Sequence, residues 1–371
     1  MVSAIIVFLI SFAVALAFLP LTIYLSDKFS LYDTHNERKI HKGKISRLGG
    51  LSFFLGFLVS ILVMQPYYAE LSSKGGLLLG GLLAFLLGFI DDLSHNIRAR
   101  YKLLLQLFVG LIVALAGYRI ESIQLTQSQQ LELGLLSFPL TMLWIAGFMN
   151  AINLLDGLDG LAGGIMLLAF LFLGLLGYRQ ANFMVMVLAL AIGGGLLAFL
   201  IYNFPPAKIF MGDGGAYFLG FLYAITPLLG IKKSSSITVL LLPLVLLLIP
   251  LLDMLHVMQR RVKNGEHIFW ADKKHIHHRL LHIGFSNRGI LWLLYGYTTI
   301  LGAFSLLMID LNPVQNWFIL ILLFLLTAMV FYTVAKAEEQ VLIKNTNEKN
   351  KKIKKQTRIL AFQPKTKYTG R

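Results

Sequence analysis

Long apolar runs separated by short polar segments dominate the chain. About 20 consecutive apolar residues are enough to cross a bilayer. The pattern predicts about eleven spanning helices, at roughly 2–24, 49–67, 76–91, 102–118, 137–154, 160–177, 183–201, 214–231, 237–255, 289–309 and 316–335. Two stretches depart from it. Residues 119–136, RIESIQLTQSQQLELGLL, alternate polar and apolar positions, the period of a small β-hairpin. The last stretch, 336–371, contains KNTNEKNKKIKKQTR and few apolar residues. It is expected to be a disordered arm lying against anionic lipid. The expected fold is an all-α polytopic integral membrane protein, with one transmembrane domain over 1–335 and a basic tail over 336–371.

Composition agrees with the pattern. Of 371 residues, 57% are hydrophobic and 14% charged, and the mean hydropathy is +0.73, which excludes an ordinary soluble domain. The absence of cysteine excludes disulfides, thiolate metal sites and a catalytic thiol. A net charge of +15 would suggest nucleic acid in a soluble chain. Here its location decides otherwise, and no nucleic-acid partner is expected. Residues 1–26 carry no Lys or Arg, and the first base is Lys28, so the first run reads as a spanning helix with its N-terminus outside. Alternating from there places 25–48, 92–101, 155–159, 202–213, 256–288 and the tail on the cytoplasmic side. Of the 33 Lys and Arg, only Lys74, Arg119, Arg179, Lys232 and Lys233 then lie outside, as the positive-inside rule requires.

The polar residues that interrupt this pattern cluster on the cytoplasmic face. In NAINLLDGLDGLAGG, Asn150, Asn153, Asp156 and Asp159 recur every three residues at the mouth of a hydrophobic slab. If the segment is helical they share roughly one face. Their hard oxygen donors suit Mg²⁺. The alternative is two Asp-Gly turns between helices. Asp91 and Asp92 end the third run, where adjacent carboxylates need a partner or a metal and make one of the pair a proton acceptor. The alternative there is a solvated helix end. Asp213 lies between glycines just before an apolar helix, in FMGDGG, a position equally suited to phosphate binding or to an N-cap. In HIHHR, the residues His275, His277, His278 and Arg279 offer donors to a pyrophosphate. Zinc is the competing reading, disfavoured by the neighbouring bases and by the lack of HExxH. The basic loop RKIHKGKISRLGG also serves equally as a plain positive-inside loop.

Taken together and in this order, RKIHKGKISRLGG, Asp91-Asp92, NAINLLDGLDGLAGG, FMGDGG, PLLD and HIHHRL resemble the polyprenyl-phosphate N-acetylhexosamine-1-phosphate transferases, glycosyltransferase family 4, over about residues 40 to 310. The phospho-MurNAc-pentapeptide translocases and the dolichyl-phosphate GlcNAc-1-phosphate enzymes belong to the same superfamily. The resemblance implies that Asn153 and Asp213 hold a catalytic Mg²⁺, for which Mn²⁺ could substitute. It implies that Lys42, Asp156, Asp159, Asn203 and Phe210 surround the uridine, with Phe210 stacked on the base. Asp91 and Asp92 would handle the lipid phosphate, and His275, His277, His278 and Arg279 the pyrophosphate or sugar. HIHHR looks like the GlcNAc-1-phosphate branch, since the translocases typically carry three consecutive His. Ser46 stands where many relatives have Pro.

The expected reaction is transfer of an N-acetylhexosamine-1-phosphate, most simply GlcNAc-1-phosphate, from a UDP-sugar to undecaprenyl phosphate in the bacterial cytoplasmic membrane. UMP leaves, and the product opens a cell-envelope glycan such as O-antigen or teichoic acid. A homodimer is compatible with the sequence. The rival within the family is the pentapeptide translocase. Outside it, a cation- or proton-coupled transporter would need acids at mid-membrane and broken helices in repeated halves, neither of which the pattern predicts.

Overall fold

The computed structural model describes residues 2–32, 45–64, 75–94, 97–126, 128–229, 238–263, 265 and 275–361. Helices make up most of them. In chain order they are α1 (Val2–Phe29), α2 (Gly49–Met64), α3 (Gly75–Ser94), α4 (Ala99–Leu115), α5 (Ser137–Leu155), α6 (Leu161–Arg179) and α7 (Phe183–Asn203). Then follow α8 (Gly212–Ile225), α9 (Thr238–Leu246), α10 (Leu248–Lys263), α11 (Ile276–Ile283), α12 (Asn287–Leu307) and α13 (Pro313–Ala361). The expected hairpin forms between α4 and α5. Its strands β1 (Ser122–Gln124) and β2 (Gln130–Glu132) pair antiparallel, with Ile123 opposite Leu131.

The protein is an all-α polytopic membrane protein. Seven helical segments among the described residues are long and apolar enough to cross a bilayer, and α2 is a shorter apolar helix. Each of the eleven predicted runs meets helical backbone, but several are too short or too broken to count as spans by length. With 14 residues, α8 extends about 21 Å against a hydrocarbon core of about 30 Å. The predicted run 237–255 is split between α9 and α10, with Pro243 inside α9.

Burial explains why α8 can be so short. Every residue from Gly214 to Ile225 is buried, which makes it the central core helix rather than a lipid-facing one. Around it pack α2, α3 and α5, while α7 joins α1, α2 and α6, and α12 lies on α6. Phe54 stacks on Phe85 with ring centroids 4.1 Å apart, and Phe218 of α8 meets Phe54 edge-on at 5.0 Å. Glycines bring the backbones together at the site end of the bundle. A Cβ on Gly88 of α3 would lie 2.3 Å from the carbonyl of Asp213, and one on Gly50 of α2 would lie 2.5 Å from Cα of Gly215.

The tail departs from expectation. Residues 336–361 continue α13 as one 49-residue helix instead of forming an arm without regular structure. Ala, Glu, Gln and Lys, all good helix formers, make up about half of this stretch. At its start the extension also has a partner, because α11 packs against α13.

Candidate active site

The site grows from the N-terminus of α8. That helix starts after a tight turn in which Gly212 adopts φ +71, and a Cβ there would collide with the carbonyl oxygen of Arg47 and the carboxylate of Asp92. Asp92 caps the helix: its two oxygens accept the N–H groups of Asp213 and Gly214, each at 2.9 Å. Asp213 itself is thereby aimed across the bundle. Its Oδ1 accepts Nδ2 of Asn153 at 2.9 Å and its Oδ2 accepts Nζ of Lys102 at 2.9 Å. Lys102 also forms an ion pair with Asp91. Four elements, α3, α4, α5 and α8, therefore meet at one cluster of two carboxylates, an ammonium and an amide.

The family resemblance implied that Asn153 and Asp213 hold a metal and that Asp91 handles the lipid phosphate; the three side chains lie in one cluster, joined through Lys102 and Asp213. Asp92 is different: both its oxygens are engaged by backbone, so it builds the helix terminus. Lys102 was missed, because it reads as one more base in a positive-inside loop. Its signal was its place, in the first turn of an apolar helix, where a base needs an acid nearby.

The DGLDG stretch resolves in favour of turns. Helix α5 ends at Leu155, Asp156 caps it, and Gly160 takes φ +76. Only Asn150 and Asn153 therefore share a helix face, and the four-residue polar stripe does not form. Asn150 donates to Gln106 at 2.5 Å and to the Ala146 carbonyl at 2.7 Å. Asp159 accepts the N–H of Ala207 at 3.0 Å and so ties the turn to the segment after α7. Asn203 does the same from the other side. Its oxygen accepts Gly160 N–H at 2.9 Å and its nitrogen donates to the Ile209 carbonyl at 2.7 Å. With both ends of its amide occupied and its surface buried, Asn203 clamps two loops together and presents nothing to a nucleotide. Arg288 on the Pro205 carbonyl at 3.0 Å and Tyr295 on the Gly160 carbonyl at 2.5 Å brace the same loops from α12.

Asp156 stays half-buried inside this frame. Burial, then the charges of Asp213 and Asp92, push its carboxyl up to about 7 against the opposing pull of Arg47. Phe210 lies in an extended segment whose N–H bonds the Ser46 carbonyl at 2.7 Å and whose carbonyl accepts Gly49 N–H at 2.9 Å. Lys42 and the basic loop 33–44 lie outside the described residues.

The histidines enter on α11. Asp253 holds the start of that helix, accepting Ile276 N–H at 3.0 Å and meeting Nδ1 of His275 at 2.8 Å. Nothing in the sequence assigned Asp253 a role beyond its motif. His277 is buried against the DGLDG turn, where a Cβ on Gly157 would lie 2.4 Å from its Nε2. That Nε2 is buried and has no hydrogen-bond partner among the described residues. Burial and the neighbouring His278 and His275 hold the ring well below the usual imidazole range, so it is neutral. The ring of His278 lies 4.3 Å from that of His277. Arg279 turns away from the turn and toward α13: its Nε lies 3.7 Å from Glu338 and its Nη2 3.4 Å from His256. Arg279 is directed at the tail helix because α11 starts at Ile276 and puts residue 279 on the opposite face from residue 277.

For a metal, the described residues contain no group of three or more His, Asp or Glu side chains placed to hold one. The donors at Asp213 still suit a hard cation with few protein ligands. Asp91 and Asp213 already converge on a cation, the ammonium of Lys102, and Asn153 has its carbonyl oxygen free of the bond it donates to Asp213.

A helical membrane bundle with carboxylates, a lysine and histidines gathered at one end defines a polytopic membrane enzyme. Its family follows from likeness to known proteins: the chain belongs to glycosyl transferase family 4, whose sequence model matches residues 75–231. It is 33% identical over 328 residues to the "Probable undecaprenyl-phosphate N-acetylglucosaminyl 1-phosphate transferase" of Bacillus subtilis, covering 88% of this chain and 90% of that protein. The "Undecaprenyl-phosphate alpha-N-acetylglucosaminyl 1-phosphate transferase" of Yersinia pestis is 28% identical over 88% of this chain and 90% of its own length. The "Phospho-N-acetylmuramoyl-pentapeptide-transferase" of a Streptococcus pneumoniae strain is 29% identical over 76% of this chain and 89% of its own.

Proposed function

We propose that the protein transfers GlcNAc-1-phosphate from UDP-GlcNAc to undecaprenyl phosphate, releasing UMP and leaving undecaprenyl-pyrophosphoryl-GlcNAc in the membrane. The observation that carries this reading is the convergence of Asp91, Lys102, Asn153 and Asp213 beside a turn on which His277 presents a ring nitrogen with no partner among the described residues. Those groups suit a pyrophosphate at the edge of an apolar bundle, where a water-soluble donor meets a lipid acceptor. Two of the relatives above carry the GlcNAc name, and HIHHR is the pattern of that branch. Eleven crossings, a cytoplasmic site, residence in the bacterial inner membrane and a homodimer complete the proposal, as does a place at the first membrane step of a cell-envelope glycan.

In the reaction, a phosphate oxygen of the lipid forms a bond to the β-phosphorus of the donor, and the bond from that phosphorus to the oxygen bridging to UMP breaks. The acceptor phosphate is itself the nucleophile, so no covalent enzyme intermediate is needed. Protein groups mainly position the reactants and neutralise charge. Lys102 balances the carboxylates and lies within reach of a phosphate. We assign the acceptor's proton to Asp91: its oxygens meet Ile97 N–H at 3.3 Å and the ammonium of Lys102, whereas Asp92 holds two amides of the α8 terminus. Asp156 stands in the turn assigned to the nucleotide, and His277 offers its Nε2 to the pyrophosphate. Asn153 and Asp213 would hold Mg²⁺, which supplies electrostatic stabilisation of the pyrophosphate oxygens when bound.

The test is UMP release by purified protein from UDP-GlcNAc and undecaprenyl phosphate, with and without Mg²⁺, beside Asp213→Ala and Asp92→Asn. Release that needs lipid and Mg²⁺ and disappears in Asp213→Ala is expected. Asp92→Asn should lose activity together with thermal stability, because one of its two capped amides loses its acceptor, at a cost of about 1–3 kcal/mol. Release with another UDP-sugar alone would correct the donor, and silence with all of them would overturn the reading.

A further inference from the structure

We infer that Glu338, on the part of α13 beyond its apolar span, is a positioning residue that holds α11 so that His277 faces the DGLDG turn. The inference rests on the functional reading above and extends it into the tail, where the sequence pointed to no chemistry.

With eight residues, α11 is too short to be stable without tertiary contacts. Asp253 fixes its first residue, and His277 packs on Gly157. The other side of the helix is held from α13. Arg279 and His282 are three residues apart and so lie on one face. Both reach the same carboxylate: Nδ1 of His282 lies 2.8 Å from one oxygen of Glu338 and Nε of Arg279 lies 3.7 Å from the other. The side chains of Glu338 and Arg279 are only 14% and 9% exposed, so the pair lies under the helix instead of in open solvent. Removing that carboxylate takes away the charge that Arg279 and His282 share across the α11–α13 contact, which gives α11 a reason to move. Because residues 277 and 279 are on opposite faces of so short a helix, movement at Arg279 carries His277 off the turn.

The test uses full-length protein carrying Glu338→Gln, alone and combined with His277→Ala. UMP release is measured across UDP-GlcNAc concentrations, and hydrogen exchange over 276–283 is followed by mass spectrometry. The expected loss in kcat/KM is about tenfold, mostly in KM, in the otherwise native chain and less than about twofold when His277 is already absent. Exchange across α11 should quicken while α7 and α8 keep their protection. Glu338→Asp, which restores the charge on a shorter arm, should recover part of the loss. Equal losses in both backgrounds, or unchanged exchange across α11, would overturn the inference. A native protein silent with every UDP-sugar would instead overturn the functional reading, and the exchange data would still decide whether Glu338 holds α11.

Discussion

Neighbouring carboxylates in this site do different work because their surroundings differ. Asp92 accepts two backbone amides, Asp213 accepts a lysine and an amide side chain, and Asp156 has burial and like charges around it. The last case has a consequence for stability. The folded carboxyl of Asp156 sits at about 7, above its unfolded value near 4, so the folded state holds a proton that the unfolded state releases. The stability this group contributes is fully present below about pH 4 and is lost as pH rises through about 7. Asp156→Asn removes the titration. In the absence of nucleotide, the melting temperature of the native protein should therefore fall more steeply from pH 5 to 7.5 than that of the variant. Parallel curves would show that Asp156 is ionised throughout. At this scale the sequence was informative about residue type and poor about direction. Asp91, Asn153 and Asp213 each stood out at the ends of apolar runs, and it was the family resemblance that implied one site for them. That Asn203 clamps loops, and that Arg279 faces the tail, depends on where a helix begins, to within one residue.

Among the elements, α8 sets the geometry, and it can do so because glycines admit its neighbours. Gly88 of α3 lies against the Asp213 carbonyl, in the peptide whose N–H, that of Gly214, donates to Asp92. Gly88→Ala would place a methyl group 2.3 Å from that carbonyl, and backbone must give way. We expect it to destabilise the protein by about 1–3 kcal/mol, the usual cost of overpacking, and to reduce UMP release even where the protein still folds. Gly147 of α5 is the matched control, since a Cβ there meets nothing within 4 Å. Gly147→Ala should be neutral or stabilising by up to about 1 kcal/mol. Thermal melting of both variants in detergent checks the pair, and equal behaviour would mean that the close approach of α3 to α8 carries no constraint. The tight approach was invisible in the sequence, where Gly88 and Gly147 are both isolated glycines near the ends of apolar runs. What the sequence did carry was the identity of the elements. Periodicity located the apolar runs and the hairpin, while the break between α9 and α10 and the helical tail arose from turn chemistry and packing that periodicity does not record.

For the whole molecule, charge and length bear on how the bundle sits in the membrane. The cluster of Asp91, Lys102 and Asp213 lies at the α8 N-terminus, at the same end as the DGLDG turn and α11, and the hairpin joins the opposite ends of α4 and α5. If the five bases Lys74, Arg119, Arg179, Lys232 and Lys233 mark the outside, the hairpin is external and the site and the start of the α13 extension are cytoplasmic. Such an arrangement requires an odd number of crossings between residue 3 and residue 339. The chain has no cysteine, so single cysteines can be introduced without background. Ser3→Cys and Ser128→Cys should react with a membrane-impermeant maleimide in intact spheroplasts, and Glu339→Cys only after permeabilisation. Ser3 and Glu339 reacting from the same side would make the number of crossings even, and α8 or the broken α9–α10 pair would then be the first candidates for helices that do not cross. Labelling of Glu339→Cys in intact spheroplasts, with Ser3→Cys and Ser128→Cys protected, would invert the molecule. The site would then face away from the cytoplasm, where a nucleotide sugar is not supplied, and the proposed donor would have to be abandoned with the orientation.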